Sequence, residues 1–188
     1  MKIKINPGPK VREQYVANII TVFQSASEEQ EQAGRSWYPT AHRIADMMTD
    51  GDVETGAGLL AALSPQTSWN ENVRLACDAY DTGRPAGHFG DALSKATRIL
   101  AGLPPESVLP MQRKTGHFYR CIVDPADKDA VCVDRHAHDV DRPLRRVLAS
   151  APISCSNEFV LKPTSAGAEP VMASGQCMHR QAGPYTSV

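Results

Sequence analysis

Two short stretches of the sequence carry residue types that could do chemistry. Residues 109–115 end in Lys114-Thr115 at the start of a predicted helix, and residues 131–137 place Asp134 directly after an apolar segment. A lysine can attack carbon as a neutral amine, and a carboxylate can stabilise developing positive charge or activate a nucleophile. The structural alternatives are that Asp134 only caps a following helix and that Lys114 is a solvated or phosphate-contacting side chain.

The elements that must position these residues are predicted to be helices. Apolar residues recur at helical spacing in six segments, and strand signals are almost absent. The second helix is predicted to begin at Pro39, the fourth at a Ser68–Glu71 capping box, and the fifth with Asp91 as its cap. Residues 54–63 are almost entirely apolar, which predicts a helix buried on most sides. The six segments cover residues 11–23, 38–48, 54–63, 69–80, 92–100 and 115–122.

The helical pattern ends near residue 150. We therefore predict an all-α domain over residues 1–150, followed by an irregular or disordered tail over residues 151–188, where no apolar period survives. The longest apolar stretch, residues 59–63, is far shorter than a membrane span, and the N-terminus has no hydrophobic signal core. A cytoplasmic location and no membrane association are therefore expected. The net charge of −1 means that any nucleic-acid binding requires a local basic face.

The two chemical stretches resemble the helix-hairpin-helix DNA glycosylase superfamily, of which endonuclease III is the familiar member. In that family a Leu-Pro turn leads into a hairpin ending in Lys-Thr at the head of a helix, and a later apolar segment presents Val-Asp-x-His. Here the corresponding residues are Leu109-Pro110, Lys114-Thr115 and Val133-Asp134-Arg135-His136.

The resemblance extends over residues 54–140, with two departures. Residues 59–67 resemble the family's buried helix ending in a Ser-x-Gln turn, and residues 94–100 resemble the helix ahead of its hairpin. The hairpin is one residue shorter and has Met111-Gln112 where the family usually carries two glycines that let the backbone approach a phosphate. The five cysteines form no C-x-x-C pair and do not match the family's optional iron–sulfur cluster.

The resemblance implies an enzyme that cleaves the N-glycosidic bond of a damaged or modified base in duplex DNA, with or without lyase activity. It implies that Lys114 attacks C1′ of the nucleotide and that Asp134 stabilises the charge that develops on the sugar. Gln66 would fill the gap left by the flipped base. No cofactor and no obligate protein partner are expected. Further DNA contacts are predicted for Arg113, Thr115, Arg120 and His136.

Other interpretations remain open at the level of sequence. The whole sequence is also similar to proteins of actinobacteria and their viruses, in which a glycosylase fold could serve base modification. A non-catalytic DNA-binding module on the same fold is a second alternative, and Gln66 could simply be turn surface. His136 and His138 with Asp134 and Asp139 are potential metal ligands, but all four lie within six residues without a distant partner, so no metal site is predicted.

Overall fold

The computed structural model describes residues 8–134, and every regular element in this range is a helix, which confirms the predicted all-α fold. His136, the helix predicted after Asp134 and the tail over residues 151–188 lie outside the described residues. In the described range, no helix is long and apolar enough to cross a membrane. The helices are α1 (Pro9–Gln24), α2 (Glu28–Met48), α3 (Val53–Ala62), α4 (Trp69–Thr82), α5 (Gly90–Leu100), α6 (Pro105–Val108) and α7 (Lys114–Val123).

Helix α3 is the centre of the fold. Its residues from Gly56 to Ala62 are all buried, and α2, α4, α5, α6 and α7 contact it. A Cβ atom at Gly56 would lie 2.4 Å from the Ala45 carbonyl oxygen, so only glycine lets α2 and α3 approach this closely. The prediction of a helix buried on most sides is therefore confirmed, and burial of this apolar segment supplies the main driving force for packing.

Helix α2 begins eleven positions before Pro39, so the predicted start is wrong. The Ser27 side chain accepts the backbone N–H of Gln30, and the Gln30 side chain accepts the backbone N–H of Ser27 at 2.9 Å. This capping box satisfies two otherwise unpaired donors and starts the helix. Pro39 lies inside the helix, where it removes one backbone donor without ending the element.

Two further predictions about helix starts need correction. Helix α5 has Phe89 as its N-cap, and Asp91 lies within the first turn, where its carboxylate pairs with Lys95. At α4, the Ser68 side chain accepts the N–H of Glu71 at 3.4 Å, as predicted, but the Glu71 carboxylate pairs with Arg74. Only half of the predicted capping box is therefore present.

Helix α1 differs from the others in presenting its apolar face to solvent. Val16, Ile19, Ile20 and Phe23 lie at helical spacing, as the sequence predicts, and Phe23 is 62% exposed. The buried residue of this helix is Asn18. Helical spacing therefore identified the element, whereas it did not identify the side that is buried.

Candidate active site and nucleic-acid interface

The turn between α6 and α7 positions Lys114. The Arg113 N–H donates to the Pro110 carbonyl oxygen at 2.9 Å and closes the turn, after which Lys114 is the first residue of α7. Arg113 is the N-cap residue in extended conformation, no side chain caps the helix, and its first turn carries no acidic residue. The positive end of α7 and two exposed basic side chains thus occupy one place on the surface.

A glycine holds this turn against α7, although it does not lie in the turn itself. A Cβ atom at Gly116 would lie 2.3 Å from the Cα atom of Met111 and 2.7 Å from its carbonyl oxygen. Backbone therefore packs directly on backbone at this point. Gly116, in the first turn of α7, therefore fixes how closely the turn approaches the helix.

Lys114 and Asp134 both lie near the thiol of Cys132. The thiol donates to the Lys114 carbonyl oxygen at 3.7 Å. Burial raises the pKa of Cys132; a hydrogen bond with Tyr38 and the positive charge of Lys114 oppose that rise, while the negative charge of Asp134 adds to it. The contact of this thiol with the Lys114 carbonyl oxygen places the segment that contains Asp134 beside the start of α7, 18 positions earlier in the chain.

An aromatic cluster of Trp37, Tyr38, Trp69 and Phe118 lies beside these residues. The ring of Trp37 is 4.9 Å from Tyr38, 5.0 Å from Trp69 and 5.8 Å from Phe118, measured between centroids. The Lys114 ammonium lies over the Phe118 ring at 5.6 Å from its centroid. Trp37, Tyr38 and Trp69 are half-buried, so the cluster reaches the surface next to Lys114.

Gln66 lies on the turn between α3 and α4, at the edge of a cleft. Its side chain is exposed and its φ of 60° is in the left-handed region. The cleft has a volume of about 540 Å³ and is bounded by residues 65–68, by Glu71 and Leu75 of α4, and by residues 87–89. Because Trp69 follows Gln66 by three positions, their Cα atoms are at most about 11 Å apart.

The other predicted DNA-binding residues differ in their surroundings. Arg113 is exposed and Thr115 half-exposed at the start of α7. The Arg120 guanidinium donates to the Asp127 carboxylate at 2.7 Å, so a phosphate would compete with an existing ion pair. His136 lies outside the described residues. Within residues 8–134, no group of three or more histidine, cysteine, aspartate or glutamate side chains is arranged to hold a metal ion.

Sequence reasoning missed Cys132, Tyr38 and His88. Cys132 contacts the Lys114 carbonyl oxygen and lies two positions before Asp134, and Tyr38 comes from α2 to contact it. His88 bonds to Thr67 across the cleft at 2.9 Å. None of these contacts has a local signal in the sequence, since the partners are separated by 94 positions for Tyr38 and Cys132 and by 21 for Thr67 and His88. Only the position of Cys132 next to Asp134 could have drawn attention to it.

Comparison with known proteins identifies the family. Residues 1–148 match the model of a family of unknown function, DUF7178, and the chain belongs to that family. No curated protein and no solved structure matches the chain. The matched range includes all the described helices and both stretches that contain the candidate catalytic residues.

Proposed function

We propose that this protein is a DNA glycosylase-like enzyme that cleaves the N-glycosidic bond of a damaged or modified base in duplex DNA. The observation that carries the proposal is the hydrogen bond from the Cys132 thiol to the Lys114 carbonyl oxygen, which places the segment containing Asp134 beside the start of α7. An amine and a carboxylate are the two groups that displacement at a sugar carbon needs. The contact between the two segments that carry these residues adds a spatial argument to the resemblance in sequence.

The proposed reaction is a displacement at C1′ of the nucleotide. The neutral amine of Lys114 attacks C1′ as the bond to the base breaks, and the base leaves with the electron pair and takes up a proton. The attached nitrogen then loses a proton, and the C1′–O4′ bond breaks as O4′ takes up a proton, which leaves a Schiff base between Nζ and C1′. Asp134 stabilises the positive charge on the sugar.

The start of α7 also supports a role in holding the DNA backbone. Unpaired N–H groups at a helix start bind phosphate, and Arg113 and Thr115 add side-chain donors at the same place. Exposed Gln66 provides a polar side chain on the α3–α4 turn, as filling the gap left by an extruded base requires.

Borohydride trapping tests the role of Lys114. A panel of duplexes, each with a different damaged or modified base, is incubated with the protein and reductant. We expect a covalent adduct with one or more substrates, and no adduct with Lys114→Gln, because the variant lacks the amine. Lys128→Gln is the matched control, since Lys128 is an exposed lysine beyond the C-terminal end of α7, and it should trap normally.

Asp134→Asn tests the carboxylate on the substrate that the wild type processes. Base release should slow by about 10² or more, the scale on which electrostatic or acid–base groups act, while binding changes little. Asp129→Asn removes an exposed carboxylate five positions earlier and should leave the rate unchanged. If Lys114→Gln and Asp134→Asn both release base at the wild-type rate, neither residue is catalytic. Duplex binding without abasic sites on any substrate would instead identify a non-catalytic binding module.

A further inference from the structure

Helix α1 carries a contiguous apolar surface that faces solvent. Four large apolar side chains recur on it at helical spacing, and each of them is between 48% and 62% exposed: Val16, Ile19, Ile20 and Phe23. We call these four residues the α1 face. A single exposed apolar side chain is ordinary, whereas a contiguous group of them marks a surface that binds a partner.

The α1 face is separate from the side of the helix that packs on the fold. That inner side is formed by Tyr15, Asn18 and Val22, which are buried or half-buried and lie three and four positions apart. Asn18 is 3% exposed, and the Gln14 side chain donates to its side-chain oxygen at 2.9 Å. This distribution is the reverse of the usual one, in which apolar residues are buried and polar ones are exposed. Burial of the α1 face therefore needs a partner surface.

The order of residues in the α1 face fits a second copy of the same helix. When two copies of α1 lie antiparallel and cross midway between Ile19 and Ile20, Ile19 of each copy lies opposite Ile20 of the other. In the same register Val16 of each copy lies opposite Phe23 of the other, so a small side chain meets a large one. Every residue of the face then has an apolar counterpart. Such self-complementarity is what a two-fold symmetric interface requires.

The charges at the two ends of α1 favour the antiparallel arrangement. Before the α1 face, Lys10 and Arg12 against Glu13 give a formal charge of +1. After it, the first turn of α2 carries exposed Glu28 and Glu29. In the register above, Arg12 of one copy lies opposite position 27 of the other, directly before these carboxylates. A parallel pair would instead place ends of like charge together.

The polar side of α1 makes a lipid surface a poorer fit than a protein. Helices that lie on membranes carry lysine and arginine along the polar side. The exposed polar residues of α1 that follow Glu13 are all uncharged: Gln14, Thr21 and Gln24. The α1 face therefore lacks the cationic border that would hold it on an anionic membrane.

We propose that the α1 face is a homodimer interface, in which two copies of this chain pair antiparallel through α1 with Arg12 of each copy beside the start of α2 in the other. The proposal is independent of the proposed function. A helix of 16 residues is about 24 Å long and about 10 Å wide, so one helix pair lies at the small end of protein interfaces. The dimer is therefore reversible, with a dissociation constant of about 1–100 μM.

Sedimentation velocity of the full-length protein in reducing buffer tests the interface. As the concentration increases to about 200 μM, the weight-average mass should rise from 20.4 kDa toward twice that value. Phe23→Glu places a charge in the apolar contact and should raise the dissociation constant at least about tenfold. Phe89→Glu is the matched control, because Phe89 is 45% exposed and lies outside α1, and it should associate like the wild type. Circular dichroism checks that both variants keep the wild-type helix content.

Charge reversal tests the orientation of the two helices. Arg12→Glu places like charges beside Glu28 and Glu29 of the second copy and should weaken association at least about fivefold. Combining it with Glu28→Arg and Glu29→Arg exchanges the signs and should restore association. If Arg12→Glu dimerises like the wild type, or if the triple variant does not recover, the antiparallel arrangement is overturned.

A wild-type protein that keeps a mass of 20.4 kDa over the whole concentration range would overturn the proposal. Equal loss of association in Phe23→Glu and Phe89→Glu would do the same. Vesicles of phosphatidylcholine and phosphatidylserine then identify the occupant of the α1 face. If they bind the monomeric wild type and not Phe23→Glu, the occupant is a lipid surface. If they bind neither, it is another segment of this chain or a different protein.

Discussion

At the scale of single residues, the most informative side chain is Cys132, which contacts the start of α7 and lies two positions before Asp134. Its thiol contacts the Lys114 carbonyl oxygen, and its pKa is raised chiefly by burial. The positive charge of Lys114 and the negative charge of Asp134 act on this pKa in opposite directions. Thiol reactivity can therefore report on the arrangement of the site without any knowledge of the substrate.

We predict that the alkylation rate of Cys132 changes in opposite directions in the two charge-removing variants. Because iodoacetamide reacts with the thiolate, the raised pKa makes the wild-type rate increase only as the pH becomes alkaline. Lys114→Gln removes a charge that stabilises the thiolate, so the pKa should rise further and the reaction slow. Asp134→Asn should lower the pKa and accelerate it. Mass spectrometry of the modified peptide measures both rates across a pH series.

The background and controls make this measurement specific. Cys77 and Cys121 are buried and should react only on unfolding, and Cys155 and Cys177 are replaced by serine. Lys128→Gln and Asp129→Asn should leave the rate unchanged. Equal rates in Lys114→Gln, Asp134→Asn and wild type would show that the two charges do not act on this thiol in solution.

The sequence predicts candidate residues better than it predicts their surroundings. Lys114 and Asp134 were identifiable because each follows a local pattern, a turn into a helix and an apolar segment. Tyr38 was not, because its contact with Cys132 depends on how α2 packs near α7, and that packing is determined by many distant side chains. The contact of the Cys132 thiol with the Lys114 carbonyl oxygen is likewise a consequence of tertiary packing.

At the scale of elements, glycines determine how closely neighbouring segments approach. Gly56 lets α3 contact the backbone of α2, and Gly116 lets the α6–α7 turn rest on α7. Gly34, by contrast, lies inside α2 with no atom within 4 Å of a potential Cβ. These positions provide a matched pair for testing whether the turn is fixed by backbone contact.

We predict that Gly116→Ala and Gly34→Ala change stability in opposite directions. Alanine at 116 places a carbon atom 2.3 Å from Met111 Cα, so the turn must move, at a cost of about 1–3 kcal/mol. Alanine at 34 meets nothing and should stabilise α2 by up to about 1 kcal/mol through its higher helix propensity. Urea unfolding measures both free energies. Stabilisation by both substitutions would show that the turn does not pack against α7.

The sequence predicts the helices well and their starts less well. Apolar periodicity is a property of the segment itself, so α3, α4 and α7 were located within one or two residues. The start of α2 was predicted at Pro39 because proline favours first turns. The Ser27–Gln30 capping box was visible in the sequence and is the stronger signal, since it satisfies two N–H groups at once.

At the scale of the whole molecule, a net charge of −1 provides no general attraction to DNA. Any attraction must come from a local arrangement of basic residues, and at the candidate interface these are Arg113, Lys114 and Arg120. The first two are exposed, and the third pairs with Asp127. Seven positions separate Arg113 from Arg120, which corresponds to two helical turns and about 10 Å along the same side of α7.

This arrangement predicts how strongly duplex binding depends on salt. Each phosphate contact contributes about −0.9 to the slope of log K against log salt, and because Lys114 is proposed to react as a neutral amine, the contact from Arg113 should give a slope of about −0.9. Arg113→Ala should reduce its magnitude by about 0.9. Asp127→Asn should release Arg120 and steepen the slope by about 0.9. Asp124→Asn is the control. Among the described contacts, the Asp124 carboxylate accepts only the Ala126 N–H, so the salt slope of this variant should match that of the wild type. The affinity for the duplex is measured by anisotropy over a salt series. Binding that is insensitive to salt would contradict a phosphate-binding face on α7, and so would equal slopes for Asp127→Asn and Asp124→Asn.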